Sequence, residues 1–127
     1  MSIQIKPVTY SDIEAYLNKY AEKELPFYLE PVVDLDSIKT LLTKPSFRIG
    51  RKAYGAFLDG EMLGYAIVLE PSHTLDLIHV ASKARGKGLG KALLKHTKVT
   101  NTVVNKNNKE AIALYRKLNI RIEFDDE

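Results

Sequence analysis

Gly86, Gly88 and Gly90 recur at every second position of a segment that reads Lys83-Ala84-Arg85-Gly86-Lys87-Gly88-Leu89-Gly90-Lys91. Ile78, His79 and Val80 end a strand-like run before it, and Leu89, Leu93 and Leu94 after it have helical spacing. Glycines let an anion approach the main chain. The amides of a first helical turn have no intrahelical acceptor and can point at a phosphate. The helix dipole, with Lys83, Arg85, Lys87 and Lys91, adds positive potential. Pyrophosphate binding is the chemistry this arrangement suits. A Walker A loop needs Ser or Thr after Gly90-Lys91, where Ala92 stands. A dinucleotide fingerprint counted from Gly86 needs a glycine where Lys91 stands, and no early βαβ unit precedes it.

Charge supports the same reading. The chain has 127 residues and a formal net charge of +3. From Lys83 to Arg121 there are eleven Lys or Arg against the single carboxylate of Glu110. Such a stretch suits a polyanion: a phosphorylated cofactor, a nucleic acid or an anionic surface. Nucleic-acid binding through this stretch is the rival reading, yet it holds one aromatic, Tyr115, where non-specific binders expose several. The absence of cysteine excludes a disulfide scaffold, a Cys-ligated zinc, an iron–sulfur cluster and a thiol nucleophile. No apolar run approaches the ~20 residues of a membrane span. Residues 1–10 lack the apolar core of a secretory signal, so the expectation is a cytoplasmic protein with no metal, folded as one domain over 1–127.

The elements that must position these residues follow from periodicity. Ile3 and Ile5 alternate up to Pro7, a short strand. Ser11 and Glu14 have the spacing of a capping box for a helix carrying Ile13, Leu17 and Tyr20, with Leu25-Pro26 as its stop. Asp36 or Ser37 would cap a second helix carrying Ile38, Leu41 and Leu42, stopped by Pro45. Residues 51–58 and 62–70 flank Asp59-Gly60, a hairpin signal. A turn at Pro71, Ser72 and His73 leads to a strand over 74–80. Alternation there puts Asp76 with Thr74 and Ile78 and sets His79 on the opposite face. A helix to about Lys98, a strand over 99–104, an N-cap at Asn107 and a helical stripe of Ala111, Leu114, Tyr115 and Leu118 come next. A strand over 120–124 closes the order β-α-α-β-β-β-α-β-α-β, a mixed α/β sheet.

Here the chain resembles the GNAT superfamily, the Gcn5-related N-acetyltransferases. Their acetyl-CoA signature, Arg/Gln-x-x-Gly-x-Gly/Ala after the fourth strand, is similar to Arg85-Gly86-Lys87-Gly88-Leu89-Gly90. A second signature, Asn-x-x-Ala-x-x-Leu-Tyr, is matched by Asn108 through Tyr115, followed by Lys117-Leu118-Asn119-Ile120. The element order agrees along the whole chain.

The resemblance implies an α/β GNAT fold and an acetyl-CoA-dependent N-acyltransferase that moves an acetyl group to a primary amine by direct attack. Acetyl-CoA would lie where the fourth and fifth strands splay. Backbone groups of Ile78, His79 and Val80 would hold the pantetheine, and the amides of Arg85, Gly86, Lys87, Gly88, Leu89, Gly90 and Lys91 the pyrophosphate. Asn108 would touch the cofactor arm. Tyr115 is the family's usual general acid, protonating the departing thiolate, and Asp76 is the candidate general base. His73 and His96 are read as turn and surface residues. Two departures concern the acceptor side. Little chain follows Phe124 to supply the seventh strand that, from the same chain or from a partner subunit, completes the acceptor side in many members, so a homodimer is in question. Asn119 stands for the usual glycine, a mild change because Asn also adopts the left-handed conformation. In the family the first two helices and their connection set specificity. Here residues 22–36 carry Glu22, Glu24, Glu30, Asp34 and Asp36 against Lys23, with Phe27 and Tyr28 between, which suits a cationic amine acceptor. A silent acyl-CoA-binding domain is the remaining alternative.

Overall fold

The computed structural model describes residues 2–20 and 35–125. The acidic stretch 22–34 and the Leu25-Pro26 stop lie outside them. Six strands form one sheet in chain order: β1 (Ile3–Pro7), β2 (Arg51–Leu58), β3 (Glu61–Leu69), β4 (Thr74–Val80), β5 (Asn101–Asn105) and β6 (Arg121–Asp125). β1 to β4 pair antiparallel, whereas β4–β5 and β5–β6 are parallel. Five helices accompany them: α1 (Tyr10–Tyr20), α2 (Leu35–Thr43), the one-turn α3 (Pro45–Arg48), α4 (Leu89–Thr97) and α5 (Lys109–Lys117). α1 and α2 cover one face of the sheet, α4 packs across β1 to β4, and α5 lies along β6. Among the described residues no helix is long and apolar enough to cross a membrane.

The sheet buries Ala56, Ala66, Ile67 and Ile78 completely or nearly so. Helix stripes bring Ile13, Ile38, Leu93 and Tyr115 onto it. Burial of each such side chain stabilises by roughly 1.5–3 kcal/mol against exposure. The turn at Asp59 (φ 50°) and Gly60 (φ 89°) has both central residues left-handed, as a two-residue hairpin demands. Asn119, at φ 61°, adopts the conformation expected of it.

Three caps differ from the sequence expectation, and the expected stop at Pro45 does a second job. The capping box of α1 is Thr9 with Asp12, not Ser11 with Glu14. The Thr9 amide donates to Asp12 Oδ2 (2.9 Å), and the Asp12 amide to Thr9 Oγ1 (3.3 Å). Val8 still donates to the Ala53 carbonyl at 3.0 Å, so the chain leaves the sheet at Val8 and must turn at Thr9. The N-cap of α5 is Asn108, whose Oδ1 accepts from the Ala111 amide at 3.3 Å, not Asn107. The Asn107 amide is taken by Asn105 Oδ1 (2.8 Å), which holds Asn107 in the preceding turn. α2 begins at Leu35, so Asp36 and Ser37 sit in its first turn rather than capping it. Pro45 ends α2 and also opens α3, since its fixed φ suits a first helical turn.

Candidate active site

The register of β4 explains where a ligand can enter. β4 pairs with β5 at Thr74↔Asn101 and Leu75↔Thr102, and among the described residues at no position beyond. Thr102 Oγ1 fastens this junction by donating to the Leu75 carbonyl (3.0 Å). From Leu77 to Val80 the strand pairs with β3 alone, and β5 from Val103 to Asn105 pairs with β6 alone. The two parallel strands therefore part into a wedge open at their carboxyl ends, where ligands of α/β sheets bind. Ile78, His79 and Val80 lie along its β4 margin.

The glycine loop sits at the mouth. A short 3-10 turn over Ser82–Ala84 leads from β4, and Gly88 (φ 84°) is the N-cap of α4. The Ala92 amide makes the helix's first bond, to the Gly88 carbonyl (2.9 Å), so the amides of Leu89, Gly90 and Lys91 belong to the donor-rich first turn. Gly86 (φ 77°) and Gly88 both require a left-handed backbone, and a Cβ on either would meet no atom within 4 Å. Internal packing therefore leaves open the space in front of the loop, and a phosphate group fits it. Arg85, Lys87 and Lys91 are exposed around this space, whereas Leu89 and Gly90 are buried. Lys83, expected to add to this potential, is held instead by Glu61 of β3, with Nζ 3.1 Å from Oε1.

α5, packed along β6, carries Asn108 at its N-cap and the fully buried Tyr115 two turns on. The Tyr115 carbonyl accepts from the Ile120 amide (2.9 Å), which fixes the end of the helix against β6.

Asp76 is placed by a feature that alternation cannot show. The register of β3 and β4 shifts between Ile67 and Val68: Leu75 faces Val68 and Leu77 faces Ile67, leaving Asp76 as the extra residue. Asp76 and His79 consequently share the face covered by α1 to α3, correcting the expectation of opposite faces. Asp76 Oδ2 accepts from Arg51 Nε at 2.7 Å, and Arg51 Nη1 donates to the Phe47 carbonyl of α3. His79 is buried, and its Nδ1 lies 2.6 Å from the hydroxyl of Tyr16 on α1. Tyr65 packs beside both rings. His73 occupies a left-handed turn position, and His96 meets the Tyr54 ring edge-on at the surface.

Sequence reasoning missed Arg51, Tyr16, Tyr20 and Glu61. Tyr20 reads there as an ordinary member of an apolar stripe. Glu61 accepts hydrogen bonds from Tyr20, Lys19 and Lys83, which together hold its carboxyl down to about 2. The bond to Glu61 in turn raises both lysines above their ordinary value.

A wedge between parting parallel strands, with a glycine-rich helix start at its mouth, is the architecture of an acyltransferase. The family model described as "Acetyltransferase (GNAT) domain" matches residues 50–119, and the chain belongs to this family. Solved structures carry the same fold over nearly the whole chain. The ribosomal-protein-S18-alanine N-acetyltransferase of Escherichia coli superposes with TM-score 0.69 at 23% identity, over 92% of this chain and 76% of that one. A ribosomal-protein-alanine N-acetyltransferase of Brucella melitensis gives 0.61 at 27%, over 91% and 82%. A GNAT-family acetyltransferase of Streptococcus pneumoniae gives 0.63 at 20%, over 92% and 83%. A search of curated protein sequences gives no match.

Proposed function

We propose that residues 1–127 act as one acetyl-CoA-dependent N-acetyltransferase domain that acetylates a primary amine by direct attack in the cytoplasm. The observation that carries this reading is the parting of β4 from β5 after Leu75, with the left-handed Gly86 and Gly88 at the mouth of the wedge. Acetyl-CoA, when bound, supplies an activated acetyl group. Arg85, Gly86, Lys87, Gly88, Leu89, Gly90 and Lys91 would hold its pyrophosphate. Main-chain groups of Ile78, His79 and Val80, on the margin of β4 away from β3, would orient its arm, with Asn108 opposite. A main-chain donor aimed at a developing oxyanion is commonly a large catalytic contribution.

The Tyr115 phenol would supply the proton that the leaving sulfur takes up, from a position closed to bulk water. Asp76 would receive the proton of the incoming amine on Oδ1, with Oδ2 fixed by Arg51. No metal takes part. The acceptor is the amine of a protein N-terminus, a lysine or a small cation. The acidic stretch 22–36 favours a cationic acceptor. The Escherichia coli and Brucella melitensis neighbours, both ribosomal-protein alanine acetyltransferases, favour a protein N-terminus. A partner subunit in a homodimer would complete the acceptor side.

The test is release of free thiol from acetyl-CoA with a panel holding an N-terminal-alanine peptide, a lysine peptide and a polyamine. Acetyl-CoA-dependent release with at least one of them is the expected result. Saturable acetyl-CoA binding with no release on any member would leave the acyl-CoA-binding domain as the reading.

A further inference from the structure

We propose that Glu61 is a positioning residue that couples the two substrate sites, tying the last turn of α1 to the start of the glycine loop. Glu61 opens β3, and three side chains from two other elements converge on its carboxylate. Lys19 Nζ lies 2.9 Å from Oε2, Lys83 Nζ lies 3.1 and 3.4 Å from the two oxygens, and the Tyr20 hydroxyl donates to Oε2. Lys19 and Lys83 also sit against the Tyr20 ring, 5.2 and 5.4 Å from its centroid. A single exposed ion pair would contribute little. Three donors on one carboxylate, sharing one ring, form a network whose members restrain each other.

The placement gives this cluster its role. Tyr20 ends α1, immediately before the acidic segment expected to meet the acceptor. Lys83 lies in the turn Ser82–Ala84, whose backbone bonds (Ala84 amide to Ala81 carbonyl, Arg85 amide to Ser82 carbonyl) run directly into the glycine loop. Ordering that loop around a ligand therefore orders the backbone carrying Lys83, and through Glu61 the end of α1. Coupling of this kind is reciprocal, so an ordered α1 end also favours ligand at the loop. The inference rests on the reading of the glycine loop as the site of CoA phosphates.

Hydrogen exchange on the full chain, with and without saturating CoA, tests it in the unaltered protein, Glu61→Gln and Tyr20→Phe. CoA is expected to slow exchange over residues 82–91 in all three. In the unaltered protein it also slows the last turn of α1. That second effect falls at least threefold in Glu61→Gln and less in Tyr20→Phe, which keeps both lysine pairs. A purely structural Glu61 would change exchange without CoA but not the response to CoA. If Glu61→Gln does not fold, Tyr20→Phe, lacking one hydroxyl, carries the test. An α1 response equal in all three proteins, or absent from the unaltered one while 82–91 is protected, overturns the coupling. Absence of protection over 82–91 overturns the glycine-loop reading itself, and the coupling with it.

Discussion

From β4 through its turn to the start of α4, the proposed cofactor side is one continuous run of chain, whereas the face under α1 is assembled from distant segments. Arg51 meets Asp76 across 25 residues, Lys19 meets Glu61 across 42, and Tyr16 meets His79 across 63. The first region is distinguished by its backbone: left-handed glycines, first-turn amides and an unpaired strand margin. The second works through side chains in pairs. Backbone chemistry of this kind needs particular residue types at short spacing and so leaves a motif. Paired side chains need only the right register and leave none.

Substitutions should separate the two regions, the cofactor side giving the larger effects on activity. Gly88→Glu is expected to lower turnover per acetyl-CoA on the order of 10³-fold, because a carboxylate would occupy the phosphate space and a loss of about 4 kcal/mol corresponds to that factor. The open space at this Cβ means the variant folds, at a cost of about 1–2 kcal/mol for a left-handed side chain. Acetyl-CoA should then no longer raise its melting temperature. Tyr115→Phe is expected to cut kcat by about 10²-fold, the low end for a general acid, with acetyl-CoA affinity unchanged by calorimetry. Asp76→Asn should reduce kcat about 10-fold at pH 7, and the defect should shrink as pH rises, because an amine already neutral in solution has one proton fewer to lose on the enzyme.

For the other pairs on the α1 face, which hold no proposed acid or base, the effects turn to stability. Tyr16→Phe removes a hydroxyl that meets both His79 Nδ1 and the Leu63 carbonyl, and should cost about 1 kcal/mol, or a few degrees of melting temperature, with acetyl-CoA affinity intact. The smallest effect concerns acid. Glu61 sits at about 2 in the folded chain against an ordinary 4.5. Its contribution is thus complete above 4.5 and lost as pH falls toward 2. Melting of Glu61→Gln should lack that part of the acid slope and keep the same pH dependence between 5 and 8.

The same contrast explains what could be read in advance. Strand β4 falls on residues 74–80 and α4 starts at Leu89 as periodicity and the glycines require. The Asn108-to-Tyr115 spacing is visible because it lies within one helix. The face of Asp76 was not legible, since the bulge that turns it arises from the register of β3 against β4, not from any local pattern. Thr9 was missed as the cap of α1 because the bond from Val8 to Ala53, across the sheet, decides where the strand ends. The pairs on Glu61 and His79 were hidden for the same reason: tertiary register brings them together.

Calorimetric titration of acetyl-CoA into the full chain and into Gly88→Glu tests the central claim most directly. The account predicts one saturable site per chain, weakened by added salt as exposed charges are screened, and lost in Gly88→Glu. No saturable binding, or binding that survives in Gly88→Glu, would contradict it.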